Sequence, residues 1–349
     1  MKYSLIVRQP REYTSRVLHT AIFTHGHVDH CFGIERYEAE GRGVRPRVVA
    51  HQAILARFDR YKRTAGYNAC INARQFQTQV QWPTNFRYPD MVYETELLLE
   101  IGHERVELHH ARGETDDHTW VWLPERRVLC TGDLFIWASP NAGNPQKVQR
   151  YALEWAQALR RMSVLGAEVM CPGHGLPIFG IDRVRRALDE TAELLESLHD
   201  QTLALMNEGA TLDEVVHGVK APPHLMERPY LRPIYDEPEF VVRNIYRLYG
   251  GWWDGDPANL KPAPSDAMAK EIAMLAGGSV RLMDRATALA ESGDLRLSCH
   301  LAEWAARANP KDESIAKMRA AIYERRAEAE TSLMAKGVFR TAAATPGKR

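Results

Sequence analysis

The chain has 349 residues, 45% of them hydrophobic, enough to bury a large core and to divide into two domains. Lys plus Arg and Asp plus Glu balance at 45 each, so no net field draws the protein toward nucleic acid. Five scattered cysteines (Cys31, Cys70, Cys130, Cys171, Cys299) suit reduced thiols better than a disulfide frame. No run reaches the roughly 18–20 apolar residues of a bilayer span, and Met1 to Arg8 lacks the apolar stretch of a secretory signal, which predicts a cytoplasmic protein.

In chain order, the first informative element is Ala21-Ile22-Phe23, a buried strand leading into Thr24-His25-Gly26-His27-Val28-Asp29-His30. Side chains alternate along a strand, so His25 and His27 point the same way. Asp29 and His30 follow on the turn or first helical residues and face a second centre. Imidazoles with a carboxylate suit zinc or a similar borderline metal, and two sets of ligands suggest two adjacent ions. From Phe58 to Tyr93, aromatics and arginines mix with polar residues, including Tyr61, Trp82, Phe86 and Arg87. That stretch reads either as a surface excursion with a small core of its own or as a loop over the metals.

A strand at Val106 to Leu108 runs into His109-His110-Ala111-Arg112-Gly113-Glu114-Thr115-Asp116-Asp117-His118, and a second carries Trp120 toward Gly132-Asp133. Leu134 to Trp137 then enters a Gly/Asn/Pro-rich loop, Ala138 to Pro145, that borders the site. Lys147 and Arg150 precede a helix over about 151–165. Val169-Met170-Cys171-Pro172-Gly173-His174-Gly175 ends another apolar run. No GxSxG elbow, GxGxxG fingerprint or GxxxxGKS/T loop competes with this constellation.

Four motifs in this order resemble the HxHxDH metallo-β-lactamase superfamily, which implies an αββα sandwich with a dinuclear metal site. The resemblance implies His25 and His27 on the first metal, Asp29 and His30 on the second, Asp133 as the shared carboxylate and His174 completing the second. Asp29 and Asp133 would also be the catalytic carboxylates. Where most relatives carry Gly-His-Thr, this chain has Gly113-Glu114-Thr115; glutamate there is similar to the alkylsulfatase branch, with His118 as the alternative ligand. Asp133 departs from that branch, which more often has glutamate. In that branch the region of Asn144, Lys147 and Arg150 holds the sulfate. Superfamily members also carry strands before the first motif, and with only 24 residues ahead of His25 the N-terminal edge reads as shortened.

Past His174 the pattern turns helical. Asp182 to Asn207 is amphipathic, with Val184, Leu188, Thr191, Leu195 and Leu198 at three- and four-residue steps. Thr211 with Glu214 reads as a capping box. After a Pro-rich connection, Val242 to Leu260, including Gly251-Trp252-Trp253-Asp254-Gly255-Asp256-Pro257, resembles the opening of the alkylsulfatase dimerisation domain. Helices are expected over 266–276, 279–292 and 295–308, with the last two similar to a tetratricopeptide-type pair. His300, beside Trp304, is structural.

The expected architecture is therefore an α/β metallo-β-lactamase-like domain (1–181), a helical and Pro-rich connector (182–241), an all-α dimerisation domain (242–340) and a tail (341–349). The expected cofactor is two Zn2+ per chain, with iron or manganese also compatible. The expected function is hydrolysis of a small-molecule ester (alkyl sulfate-like, carboxylic ester or lactone) by a metal-activated water, in a homodimer without nucleic-acid partners. The alternatives are a non-catalytic dimeric binding protein that keeps the fold, or a di-iron redox relative.

Overall fold

A computed structural model describes residues 12–39 and 45–345. Leu5 to Val7 and the terminal Pro346 to Arg349 lie outside the described residues. The chain divides into two units: one reaches Asn68 and resumes over Gln81–Gly251, and the other combines Ala69–Val80 with the chain from Trp252 onward.

In the first unit, β1 (Thr20–Ile22), β2 (Arg47–His51) and β3 (Met91–Tyr93) form a parallel sheet in the order β1-β2-β3. The second sheet follows chain order: β4 (Glu96–Ile101), β5 (Glu104–Ala111), β6 (His118–Leu123), β7 (Val128–Ile136), β8 (Val169–His174) and β9 (Ile178–Phe179). Its pairings are antiparallel except β7 with β8. That parallel pair needs a crossover, supplied by the segment containing α5 (Ala152–Ser163).

Period-two alternation divides the core into layers. On β6, Val121 joins Val49, Tyr93, Leu99 and Leu108 between the sheets. Its neighbours Trp120 and Trp122 pack on the opposite side with Trp155 and Leu159 of α5, together with Leu188 and Leu195 of α6 (Ile181–Asn207). The outer face of the three-stranded sheet is covered by Ile34 of the short helix Ile34–Ala39, and by Ile54, Phe58 and Tyr61 of the helix Ala53–Arg63. The fold is thus the expected αββα sandwich.

Phe58 to Tyr93 is not a long loop. Ala53–Arg63 and the following helix, Ala65–Phe76, account for much of it, because Ile54, Phe58 and Tyr61 recur at four and three residues and make one buried stripe. Trp82, Phe86 and Tyr88 add to the same cluster.

A helix over Leu212–Gly218 begins with the capping box of Thr211 and Glu214. A later helix, Pro238–Gly250, belongs to the first unit, because Val241, Val242, Ile245 and Tyr246 are buried in its core. The sequence boundary at 241/242 falls inside this helix, and the contact units divide after Gly251.

The second unit contains helices Ser265–Leu275, Ser279–Glu291, Leu295–Ala308, Glu313–Ala329 and Leu333–Ala344, with a small-residue core of Ala286, Ala290, Ala302 and Ala305 around Leu282, Met283 and Ile322. The last helix continues through the expected tail as far as Ala344. Gln77 Nε2 donates to the Gly337 carbonyl at 2.9 Å and to Thr341 Oγ1 at 2.8 Å, which pins that turn. Among the described residues no helix is long and apolar enough to cross a membrane.

Candidate metal centre

Four chain segments bring the predicted residues together. His25 lies in the turn after β1, and His27 is the N-cap of the single-turn helix Val28–Cys31, which carries Asp29 and His30. Glu114 comes from the turn joining β5 to β6, Asp133 from β7 where its register with β8 shifts, and His174 from the end of β8.

Two donor groups result: His25, His27, Glu114 and Asp133 in one, and Asp29, His30 and His174 in the other. In the first, His25 Nε2 is 2.9 Å from His27 Nδ1, His27 Nδ1 is 3.7 Å from Glu114 Oε1, and His25 Nε2 is 3.7 Å from Asp133 Oδ2. In the second, His30 Nε2 is 3.3 Å from His174 Nε2 and 3.7 Å from Asp29 Oδ2. Asp133 reaches both groups, its Oδ1 lying 3.2 Å from His30 and its Oδ2 3.5 Å from His174. The first group is largely buried, whereas Asp29 and His174 are exposed. His118 lies outside both groups; it stacks on His25 with ring centroids 4.6 Å apart and directs Nε2 at the Thr131 carbonyl, 3.1 Å away.

The electrostatics suit cations. Burial and neighbouring imidazoles hold His25 well below its ordinary pKa, and burial with the Arg57 and Arg150 charges does the same to His27, keeping both rings neutral as ligands must be. Burial drives Glu114 up to about 8, despite Arg150, because its carboxylate is shut in beside Asp133. At Asp133 burial opposes ionisation, but hydrogen bonds from His174 and His30 outweigh it and keep the group ionised. The same contacts, from Asp133 first and Asp29 second, raise His174 to about 10.

Glu114 Oε2 is buried with no hydrogen-bond partner, and two imidazole nitrogens converge at 2.9 Å beside two carboxylates. An orphaned buried oxygen of this kind is costly unless a cation meets it. The donor set of histidine nitrogens and carboxylate oxygens therefore fits borderline divalent ions. A side chain at Gly173 would strike Asp133 Oδ1, which accounts for glycine immediately before His174.

A profile of the metallo-β-lactamase superfamily matches residues 9–174, and one for alkyl sulfatase dimerisation matches 211–347. This chain is a metallo-β-lactamase domain joined to an alkyl sulfatase dimerisation domain. It is 27% identical, over 92% of its length, to a linear primary-alkylsulfatase of Pseudomonas sp. (strain ATCC 19151), of which it spans 65%. It is 26% identical over 87% of its length to an (R)-specific secondary-alkylsulfatase of Pseudomonas sp., spanning 50% of that protein. A stereoselective inverting sec-alkylsulfatase from Pseudomonas sp. superposes with a TM-score of 0.85 at 22% identity, over 97% of this chain and 58% of that one, and so shares the fold. The chain thus spans from half to just under two thirds of these relatives.

Of the three residues expected near an anion, Arg150 contacts the first group, Lys147 lies in the field of Glu114 and Asp29, and Asn144, in the same loop, is held by Asp236. Arg150 is buried and engaged inward: Nη1 donates to Glu114 Oε1 at 2.8 Å and to the Asn141 carbonyl at 2.5 Å. Asn144 is buried, and its side-chain oxygen accepts the Gln146 amide at 3.1 Å. Lys147 lies over Trp82, with Nζ 5.6 Å from the ring centroid, and burial together with the Arg150 charge lowers it to about 8. Sequence reasoning gave no role to Asn141, whose side-chain amide donates to Glu114 Oε1, or to Arg57, which grips Asp116 and Asp117. Asn141 lay in a recognised loop, but nothing in the local pattern pairs Arg57 with acids about 60 positions away.

Proposed function

We propose that the metallo-β-lactamase domain holds two divalent ions, zinc foremost, and hydrolyses an alkyl sulfate-type ester. The observation that carries this reading is the set of seven donors in two groups sharing Asp133, with a lysine charge beside them. Bound there, such ions polarise an ester oxygen and lower the pKa of water toward neutrality. The ligands are proposed as His25, His27, Glu114 and Asp133 for one ion, and Asp29, His30, His174 and Asp133 for the other.

The protein's own groups divide the remaining work. Lys147, shielded by Trp82, offers positive charge to an anionic ester head. Asp29, exposed and 3.4 Å from His174, can hold and accept the proton of an entering water. Arg150 and Asn141 steady Glu114 from behind. Relatives named as alkylsulfatases support the substrate class, and the dimerisation profile supports a homodimer assembled through the C-terminal helices.

The test is elemental analysis followed by assay of sulfate release from alkyl sulfates of graded chain length. Two zinc ions per chain with sulfate release are expected. Acid release from carboxylic esters or lactones alone would replace the substrate class. Full metal loading without turnover of any ester would favour the binding-protein alternative, and abundant iron the redox one.

A further inference from the structure

The loop following Asp133 is gripped from outside the sandwich motifs. Asp236, just ahead of the helix Pro238–Gly250, has no solvent exposure. Its Oδ2 accepts the backbone N–H groups of Gly143 at 2.6 Å and Asn144 at 3.1 Å, while Oδ1 accepts that of Glu237 at 2.8 Å. Asn244, six residues past the start of the helix and also buried, donates from Nδ2 to the carbonyls of Ala142 at 2.8 Å and Arg150 at 3.0 Å. Gly143 sits so close to Phe240 and Val241 that a Cβ there would collide with their backbone. Upstream, the Ser139 N–H donates to the Arg232 carbonyl at 2.9 Å. The stretch 139–150 is therefore held at both ends and in the middle by one short region of sequence.

The held stretch carries the two groups that grip Glu114. Asn141 lies next to the carbonyl that Asn244 holds, and Arg150 offers its own carbonyl to the same amide while its guanidinium reaches Glu114. Both side chains donate to Glu114 Oε1. Moving the backbone at 142–144 must change the direction of both donors, and with it the carboxylate.

We infer that Asp236 and Asn244 are positioning residues: through the 141–150 loop they set the orientation of the Glu114 carboxylate in the metal centre. This inference rests on the proposed metal reading and adds to it two residues far from every metal motif. Outer partners of this kind tune metal affinity by roughly 10–100-fold when removed.

The experiment uses the full chain, stripped of metal and titrated with Co(II), with visible absorption as the readout. Asp236→Asn keeps the shape but replaces one acceptor oxygen with a donor NH2 that faces backbone N–H groups, and Asn244→Ala frees the two carbonyls. Both variants should show altered d–d bands and about tenfold weaker binding at one of two sites, with the other site unchanged. Asp182→Asn, on the exposed start of α6, should titrate as wild type. Wild-type bands and affinity in a folded Asp236→Asn or Asn244→Ala protein would overturn the positioning role while leaving the metal reading intact. A wild-type chain that takes up no Co(II) would overturn the metal reading, and the inference with it.

Discussion

Arg57 and Asp117, 60 residues apart in sequence, form a buried pair with Arg57 Nε donating to Asp117 Oδ1 at 2.8 Å. The other carboxylate oxygen, Oδ2, accepts the N–H of Gly26 at 2.8 Å, between His25 and His27. A Cβ on Gly26 would come within 2.6 Å of Arg57 Cδ, so the turn lies directly on the arginine stem. Arg57 also reaches Asp116. The helix Ala53–Arg63 thus braces the histidine turn through one carboxylate.

Removing one partner of a buried pair leaves the other charge uncompensated, typically at a cost of about 3–5 kcal/mol. Arg57→Ala should therefore lower stability by about that much and weaken metal binding at the His25–His27 side. Arg57→Lys, which lacks the guanidinium fork for two carboxylates, should recover only part of the loss. Urea unfolding of metal-free and zinc-loaded protein reads both effects; an Arg57→Ala midpoint equal to wild type would remove the brace from the account.

Asp133 is the carboxylate that both donor groups share. Asp133→Ala should reduce zinc below one ion per chain and abolish ester hydrolysis. Glu114→Gln should lower occupancy of the first site alone, and His118→Ala should leave two ions in place. His300→Ala, on a helix face with its ring centroid 6.1 Å from that of Trp304, should change neither metal nor activity. Elemental analysis after dialysis separates these outcomes; normal zinc in Glu114→Gln together with loss in His118→Ala would reverse the ligand assignment.

A pH effect follows from a second pair of histidines. His51 and His110 stack with centroids 3.6 Å apart and planes within 4°. His51 Nε2 meets the Glu94 carbonyl at 2.7 Å and His110 Nδ1 the His118 carbonyl at 3.0 Å. Burial lowers both from 6.5, and for His110 the neighbouring His51 adds to the shift, against the opposing field of Asp117. Bases with depressed folded pKa values contribute stability that is present above about 6.5 and lost as pH falls through the folded values. Thermal midpoints should therefore drop below pH 6.5, and less steeply in His110→Gln than in wild type. Parallel profiles for the two proteins would dismiss the pair as the source.

The metal motifs were legible because these residues crowd together in sequence: His25 and His27 share the turn after β1, and Asp29 and His30 share one short helix. Helices at 181–207, 279–291 and 295–308 were legible because one face carries the apolar residues. Long-range pairs left no such trace. Arg57 with Asp117 and Asp236 with Gly143 join positions far apart in sequence, and the local pattern at either end does not name its partner. Arg150 falls in the region that the alkylsulfatase resemblance implies for an anion, whereas its engagement with Glu114 leaves no mark in the sequence. The expected boundary at 241/242 splits the helix Pro238–Gly250, because its Trp-rich continuation resembles another domain, whereas its buried face of Val241, Val242 and Ile245 ties it to the first unit.

Assembly gives the last prediction. In the second unit, Met274, Leu275 and Val280 are exposed, as is Trp252 at its start. These exposed apolar side chains suit the contact expected of the dimerisation helices. Within that unit, Gly337 packs against the carbonyls of Arg74 and Gln75, so residues 69–80 depend on the last helix for cover. Truncation after Gly251 should thus remove the dimer contact and strip the partner from Ala69–Val80, giving monomers that aggregate. The full chain should elute as a dimer, with light scattering giving about twice the chain mass. Leu275→Asp and Val280→Asp together should shift it to monomer while the metal content stays at the wild-type level. A truncated chain that remains a well-behaved dimer would move the interface to the metallo-β-lactamase unit.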